Sequence, residues 1–196
     1  NAWTFDELAA KVGKVSSESE GPTPIAGLPA MASIRLATPA TFSACAVDEA
    51  KKVWCWGRND HGELGHAPAT NGDLVSPSNR SYNPVPSKVT IGSTDLDEVV
   101  DAIVGPTACA VRADGSVWCW GDNNANILTL AAADNGVHAT PVKIKSVANI
   151  SRIGIGSSAC ALGTTGVVSC WGASFGTIQG PGYDAGCYSP GTGGTT

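Results

Sequence analysis

The apolar residues of this chain fall into three series built on one spacing. Each series closes on a ribbon of alternating positions. The first runs Ala44-Cys45-Ala46-Val47 and then Val53-Trp54-Cys55-Trp56-Gly57. The second runs Ala108-Cys109-Ala110-Val111 and Val117-Trp118-Cys119-Trp120-Gly121, and the third Ala159-Cys160-Ala161-Leu162 and Val168-Ser169-Cys170-Trp171-Gly172. Period-two alternation marks half-buried strands, and an internal repeat governs the architecture. The two limbs of the middle copy are separated by Ala113-Asp114-Gly115, which predicts a β-hairpin. A two-residue Asp-Gly loop would set Cys109 opposite Trp120. A three-residue loop with Gly115 in the left-handed conformation of a G1 bulge sets Cys109 opposite Cys119 instead. The third copy keeps glycine at that place, Gly166, whereas the first has Lys51, so the first turn is the one the pattern defines least.

Upstream of each ribbon the pattern also recurs. Pro24-Ile25, Met31 and Ile34 precede the first; Pro84-Val85, Val89, Val99, Val100 and Ile103 the second; Pro141-Val142, Ile144, Val147, Ile150 and Ile153 the third. Each unit therefore reads as a proline-led strand, an inner apolar strand and the hairpin, which is the anatomy of a propeller blade. The fold predicted is all-β, with three blades in residues 22–180. A short amphipathic helix over residues 3–15 precedes them within an N-terminal segment, 1–21, and a Gly/Ser/Thr-rich tail, 181–196, follows. The helix presents Phe5, Leu8, Val12 and Val15 on one face, with Thr4 and Glu7 as a capping box and Trp3 stapled onto Leu8. Its apolar face needs a surface to cover, either the chain's own repeats or a neighbouring subunit. The connection from His66 to Ser87 is long and proline-rich, a composition of functional or disordered loops.

Six of the seven cysteines pair at one spacing, Cys45 with Cys55, Cys109 with Cys119 and Cys160 with Cys170, leaving Cys187 unpaired. Directly opposed cross-strand cysteines fall within disulfide reach, so disulfides are preferred over buried thiols, and with them an oxidising compartment. Zinc is disfavoured by the spacing and by the scatter of the three histidines. Within each ribbon Trp54 and Trp118 share one position, and Trp56, Trp120 and Trp171 another, two residues on. These tryptophans form an aromatic column beside each disulfide, read as packing between blades in preference to a ligand surface.

Composition narrows the functions. Twelve basic residues against seventeen acidic ones give a net charge of −5 with no basic stripe, which argues against nucleic acid. No apolar run reaches the roughly 20 residues that span a bilayer. No nucleophile, base and orienter stand together: Ser174 is one residue off a nucleophile-elbow pattern, and Asp122-Asn123-Asn124 lacks the pattern of a calcium loop. His61 and His66 flank Glu63 on what reads as a solvated loop. Asn79-Arg80-Ser81 and Asn149-Ile150-Ser151 match glycosylation acceptors. No enzyme activity, cofactor or metal is expected.

The Ala-Cys-Ala-Val hairpin, its Asp-Gly turn, Val-Trp-Cys-Trp-Gly and the segment Asn59-Asp60-His61-Gly62-Glu63-Leu64-Gly65 resemble the RCC1 repeat family, in a cysteine-paired form similar to secreted bacterial members. The Gly-Glu-Leu-Gly element stands only in the first copy, and Ser43, Thr107 and Ser158 occupy a position where the family often has histidine. The family's usual propeller has seven blades, and this chain carries three. Open blade edges must be covered, because a bare edge templates further pairing. The expected role is thus an extracellular or cell-surface structural or adhesive protein, the periplasm being a further possibility, whose array is completed by its own copies or a partner chain. The resemblance also implies a secreted binding module like the RCC1-like inhibitors of β-lactamase. A guanine-nucleotide exchange factor is the third class, disfavoured by the cysteine pairs and the low basic charge.

Overall fold

The computed structural model describes residues 24–36, 42–128, 134 and 136–172. The first blade has an inner strand β1 (Met31–Leu36), the hairpin β2 (Ser43–Asp48) and β3 (Val53–Arg58), a short β4 (Leu74–Val75) and an outer β5 (Ser81–Lys88), in the order β1-β2-β3-β5-β4. A two-stranded turn, β6 (Thr90–Ile91) and β7 (Thr94–Asp95), leads into the second blade. That blade repeats the plan with β8 (Val99–Ile103), β9 (Thr107–Arg112), β10 (Val117–Asp122) and β11 (Val137–Lys143). The third comprises β12 (Ile150–Ile155), β13 (Ala159–Gly163) and β14 (Val168–Trp171). The chain is all-β, and the described part contains no helix. The helix expected over residues 3–15 and the tail with Cys187 lie outside the described residues.

The hairpins obey the register that the cysteine spacing demands. Cys45 lies opposite Cys55, Cys109 opposite Cys119 and Cys160 opposite Cys170. Their sulfurs stand at bonding distance, 2.05, 1.99 and 2.23 Å, with Cα atoms 4.2, 4.0 and 4.0 Å apart. All three turns are the same. Gly115 N–H donates to Arg112 O, Lys51 to Asp48 O and Gly166 to Gly163 O. Lys51 adopts φ 60°, matching Gly115 at 76° and Gly166 at 88°, so the first turn is as regular as the others. The left-handed conformation is tolerable for lysine at a single exposed site because Asp48 holds the turn: its Oδ1 accepts the Lys52 N–H at 2.8 Å.

Two expectations are corrected. The proline-led strand does not open its unit. Pro84 and Pro86 lie in β5, whose Ser87 and Lys88 pair with Cys55 and Trp54 of β3, and Pro141 lies in β11, paired with β10. Each such strand closes the preceding blade, and Pro84 and Pro86 lie beyond Ser81 and Tyr82, where β5 pairs with β4, so the missing proline N–H costs no bond on the outer side. Pro24-Ile25 forms no strand, since no hairpin precedes it among the described residues. The tryptophans, moreover, do not sit beside the disulfide. Trp54 and Trp56 alternate with Cys55, so the aromatic column and the bridge occupy opposite faces of the blade.

That division builds the core. The disulfide face of the first blade, with Cys45, Val47, Val53 and Cys55, packs on the other face of the second, with Ala102, Ala108, Ala110 and Trp120. The disulfide face of the second blade, Cys109, Val111, Val117 and Cys119, packs in the same way on Ile153, Ala159 and Ala161 of the third, with Trp171 alongside. Small alanines on one side admit the bulk of the valines and sulfurs on the other. Asp101 ties all three inner strands: Oδ1 accepts from Arg35 Nη2 at 3.2 Å, and Oδ2 from the Ile153 amide at 3.1 Å.

Candidate functional site

Each closed junction carries a repeated set of polar contacts around its apolar centre. At the hairpin tip, the Val99 amide donates to Lys51 O at 2.9 Å, and the Ile150 amide to Gly115 O at 3.0 Å. At the other end the indole N–H of Trp120 reaches back to Glu63 O at 2.8 Å, and that of Trp171 to Ile127 O at 2.7 Å. The accepting loops are shaped alike. Asn59 Oδ1 accepts the Leu64 amide and Asn123 Oδ1 the Leu128 amide, so one asparagine side chain curls each loop toward the next blade. The repeated asparagine was legible as a spacing from the second cysteine, but its role was not.

The two ends of the array carry the same residues without their covers. Ile34 is 52% exposed, whereas Ala102 and Ile153, which face the hairpin at the same register, are 2% and 8% exposed. Trp56 is half-buried and its indole N–H has no acceptor among the described residues, in contrast to fully buried Trp120. On the far flank Val168 is 49% exposed, while Val53 and Val117 are fully buried. Leu162 is likewise exposed where Val47 and Val111 are buried. Of the predicted blade aromatics, Trp120 and Trp171 are therefore junction staples, half-buried Trp118 packs against the first core cluster, half-buried Trp54 donates to Asp48 Oδ2 at 2.8 Å, and Trp56 stands at the staple position of an exposed flank. The predicted interface residues Trp3, Phe5, Leu8, Val12 and Val15, and unpaired Cys187, lie outside the described residues.

The long connection after the first blade is a built loop. Asp73 is its hub: Oδ1 meets His66 Nε2 at 2.7 Å, and Oδ2 accepts from Asn59 Nδ2 at 2.8 Å, Ser81 Oγ at 2.7 Å and the Ala69 amide at 3.1 Å. His66 is thereby engaged, and among the described residues no three metal-ligating side chains cluster. Beside this loop lies an open cleft of about 600 Å³ lined by Asp60, His61, Pro68, Val75, Asn79 and Arg80 among others. Burial works to raise Asp60, but the Ser81 amide, Arg80 and Arg58 outweigh it and hold the carboxyl below its ordinary range. Sequence reading also passed over Glu63 as an acid. It is fully buried, Oε2 accepts the His61 amide at 2.7 Å, and Oε1 has no partner. Burial pushes it up to about 7, against the pull of its own and the His61 amides. Ser174 lies outside the described residues, and nothing in the described part assembles a nucleophile with a base and an oxyanion donor.

The regulator of chromosome condensation (RCC1) repeat models match residues 52–111 and 107–126, which hold β3, the first-blade loop and the second hairpin. That part of the chain is similar to the RCC1 repeat. Human WBSCR16 is similar to it at 19% identity and TM-score 0.54, over 72% of this chain and 33% of that one. Yeast RCC1 (Prp20), solved bound to Kap60, is similar at 21% identity and TM-score 0.52, over 72% and 32%. Prp20p from Saccharomyces cerevisiae, studied for its binding to Gsp1p and histones, is similar at 25% identity and TM-score 0.52, over 71% and 32%. This chain spans about a third of the length of these solved relatives. The three blades supply two internal junctions and two exposed flanks of junction character.

Proposed function

We propose that the chain is a non-enzymatic structural or adhesive subunit of the extracellular space or cell surface, whose open blade array is completed by another protein chain. The observation that carries this reading is the pair of flanks, with Ile34 and Val168 exposed where their counterparts are buried. Monomers seldom leave such apolar surface uncovered, and an unclosed stack offers it on both sides. Protein binding also characterises that relative: yeast Prp20 was solved bound to Kap60, and Prp20p was studied for its binding to Gsp1p and histones. Three cysteine pairs at bonding distance are compatible with an oxidising, extracellular setting. No helix among the described residues is long and apolar enough to cross a membrane.

The test is thiol labelling with surface labelling of intact producing cells. The reading predicts that Cys45, Cys55, Cys109, Cys119, Cys160 and Cys170 resist alkylation under denaturing, non-reducing conditions, and that an antibody reaches the protein without permeabilisation. Full alkylation without reductant, or signal only after lysis, would contradict it.

One observation favours a second reading, a secreted module that binds or inhibits a target through its first-blade loop. The Asp73 hub fixes that loop beside the cleft at Asp60 and Arg80, as a preorganised binding surface requires. Replacing Arg80 with alanine should then weaken target binding without changing assembly.

A further inference from the structure

We infer that the first-blade cleft takes an extended, acidic peptide segment of a protein partner, its backbone added to the open edge of β4 and a carboxylate side chain held by Arg80. This rests on the second reading above, a module that binds through its first-blade loop, and names what that loop recognises. The lining residues all fall within 60–81, in one blade, so the site does not depend on what covers the flanks. The edge comes from the hairpin of β4 and β5, whose turn repeats that of the cysteine hairpins. The Asn79 amide donates to Ser76 O at 2.9 Å and the Ser76 amide to Arg80 O at 2.8 Å, with Asn79 in the left-handed conformation at φ 58°. Bonded and non-bonded pairs alternate along an antiparallel ladder. With Ser76 bonded to Arg80, the next pair, Val75 opposite Ser81, is non-bonded, and Val75 turns its N–H and C=O away from β5. β4 is the last strand of its sheet, and Val75 is exposed. One amide and one carbonyl thus stand open at the rim of the cleft, the contact by which an extended segment adds to a sheet.

Charge selects the side chain. Asp60 lines the cleft, but its oxygens are taken: Oδ1 accepts the Ser81 amide at 2.7 Å, and Oδ2 accepts Arg80 Nη1 at 3.0 Å and Arg58 Nε. Two guanidinium groups over one carboxylate leave a positive excess, and Arg80, with 56% of its side chain exposed, carries it to the surface. Asp60 thereby fixes Arg80 through one N–H and leaves the rest of its planar fork of donors, a geometry that matches a carboxylate. Pro68 and Ala69 supply an apolar wall beside it. The Asp73 hub already holds the Ala69 amide and the Ser81 hydroxyl, so little ordering remains for a ligand to impose. A free anion would meet Arg80 alone. An acidic strand meets Arg80 and the β4 edge together, and the presence of both on one cleft favours the peptide.

A random peptide library displayed on phage and selected on the full, disulfide-bonded chain tests this. Recovered sequences should carry Asp or Glu beside β-branched or aromatic residues, and synthetic copies with blocked ends should shift the amide resonances of residues 60–81. Replacing the acid of such a peptide by its amide should raise the dissociation constant at least about tenfold. Arg80→Gln should remove that difference. Exchange at the Val75 amide should slow on saturation, which a contact through charge alone would not produce. If Arg80→Gln fails to fold, the paired peptides and the Val75 amide on the parent chain decide alone. Peptides that shift residues 60–81 without an acid, or without slowing Val75, overturn the acidic-strand proposal and leave the loop-binding reading standing. If no peptide shifts these residues the proposal fails. A shift by heparin then assigns the cleft to an anionic polysaccharide, whereas silence to both sinks the loop-binding reading as well.

Discussion

The closed junction between the first two blades and the open flank of the first blade present the same kinds of residue to different surroundings. Trp120 is fully buried and bonded to Glu63 O, while Trp56, at the same place in its hairpin, is half-buried with no acceptor among the described residues. Ala102 is covered and Ile34 is not. Local sequence therefore makes a blade, and the neighbour decides whether its apolar face is core or surface. A repeat protein is stabilised largely by such neighbour contacts, so residues at an exposed flank contribute less than their counterparts in a closed junction.

The contrast should be largest for the tryptophans. Trp120→Ala is expected to cost about 3 to 5 kcal/mol by emptying a buried site, read as a lowered midpoint in urea. The same change at Trp56 should cost about 1 kcal/mol or less at concentrations where the protein is monomeric. Equal losses would erase the distinction between junction and flank.

The two closed junctions also differ from each other, because Glu63 in the first corresponds to Ile127 in the second. The buried carboxyl titrates near 7 in the fold against an ordinary 4.5. Its raised value means that the neutral form is the one the fold favours. The stabilisation is complete below about pH 4.5 and is lost as pH rises toward about 7, a change on the order of 3 kcal/mol. Amide exchange should therefore show the first junction loosening over that range while the second does not, and Glu63→Gln should flatten the response. A first junction insensitive to pH would refute the buried-acid account.

A smaller effect separates the bridges. Each closes an equally short loop, so replacing any one pair by alanine should cost about 2 to 3 kcal/mol. Accessibility differs, since Cys109 and Cys119 are fully buried while Cys160, on the open face, is half-buried. Timed reduction with peptide mapping should find the Cys160–Cys170 bridge opening before the Cys109–Cys119 bridge. A peptide linking two different hairpins would refute the pairing itself.

Much of this fold was legible because its information is local. The ten-residue separation of the cysteines and the turn after Arg112 specify a three-residue loop and hence a register, and the blade plan follows from its repetition. The first turn was the least defined by sequence because a left-handed lysine depends on a side-chain bond from Asp48 that composition does not announce. The blade boundary was misplaced for a related reason. A sequence repeat fixes a period but no starting point, and only pairing assigns Pro84 to the blade before it. Glu63 escaped notice because its burial comes from a tryptophan 57 residues away. The flanks were foreseen from the blade number, but which residues line them required the neighbouring blades for comparison.

The central claim, that another protein chain covers the exposed flanks, is tested most directly by amide hydrogen exchange at Met31 over a range of protein concentrations. Val99 and Ile150, bonded within the chain to Lys51 O and Gly115 O, are expected to be slow at every concentration. Met31 should be fast when the protein is dilute and approach their rates as it is concentrated and another chain comes to cover the flank. Exchange at Met31 that is equally fast at all concentrations would contradict the account.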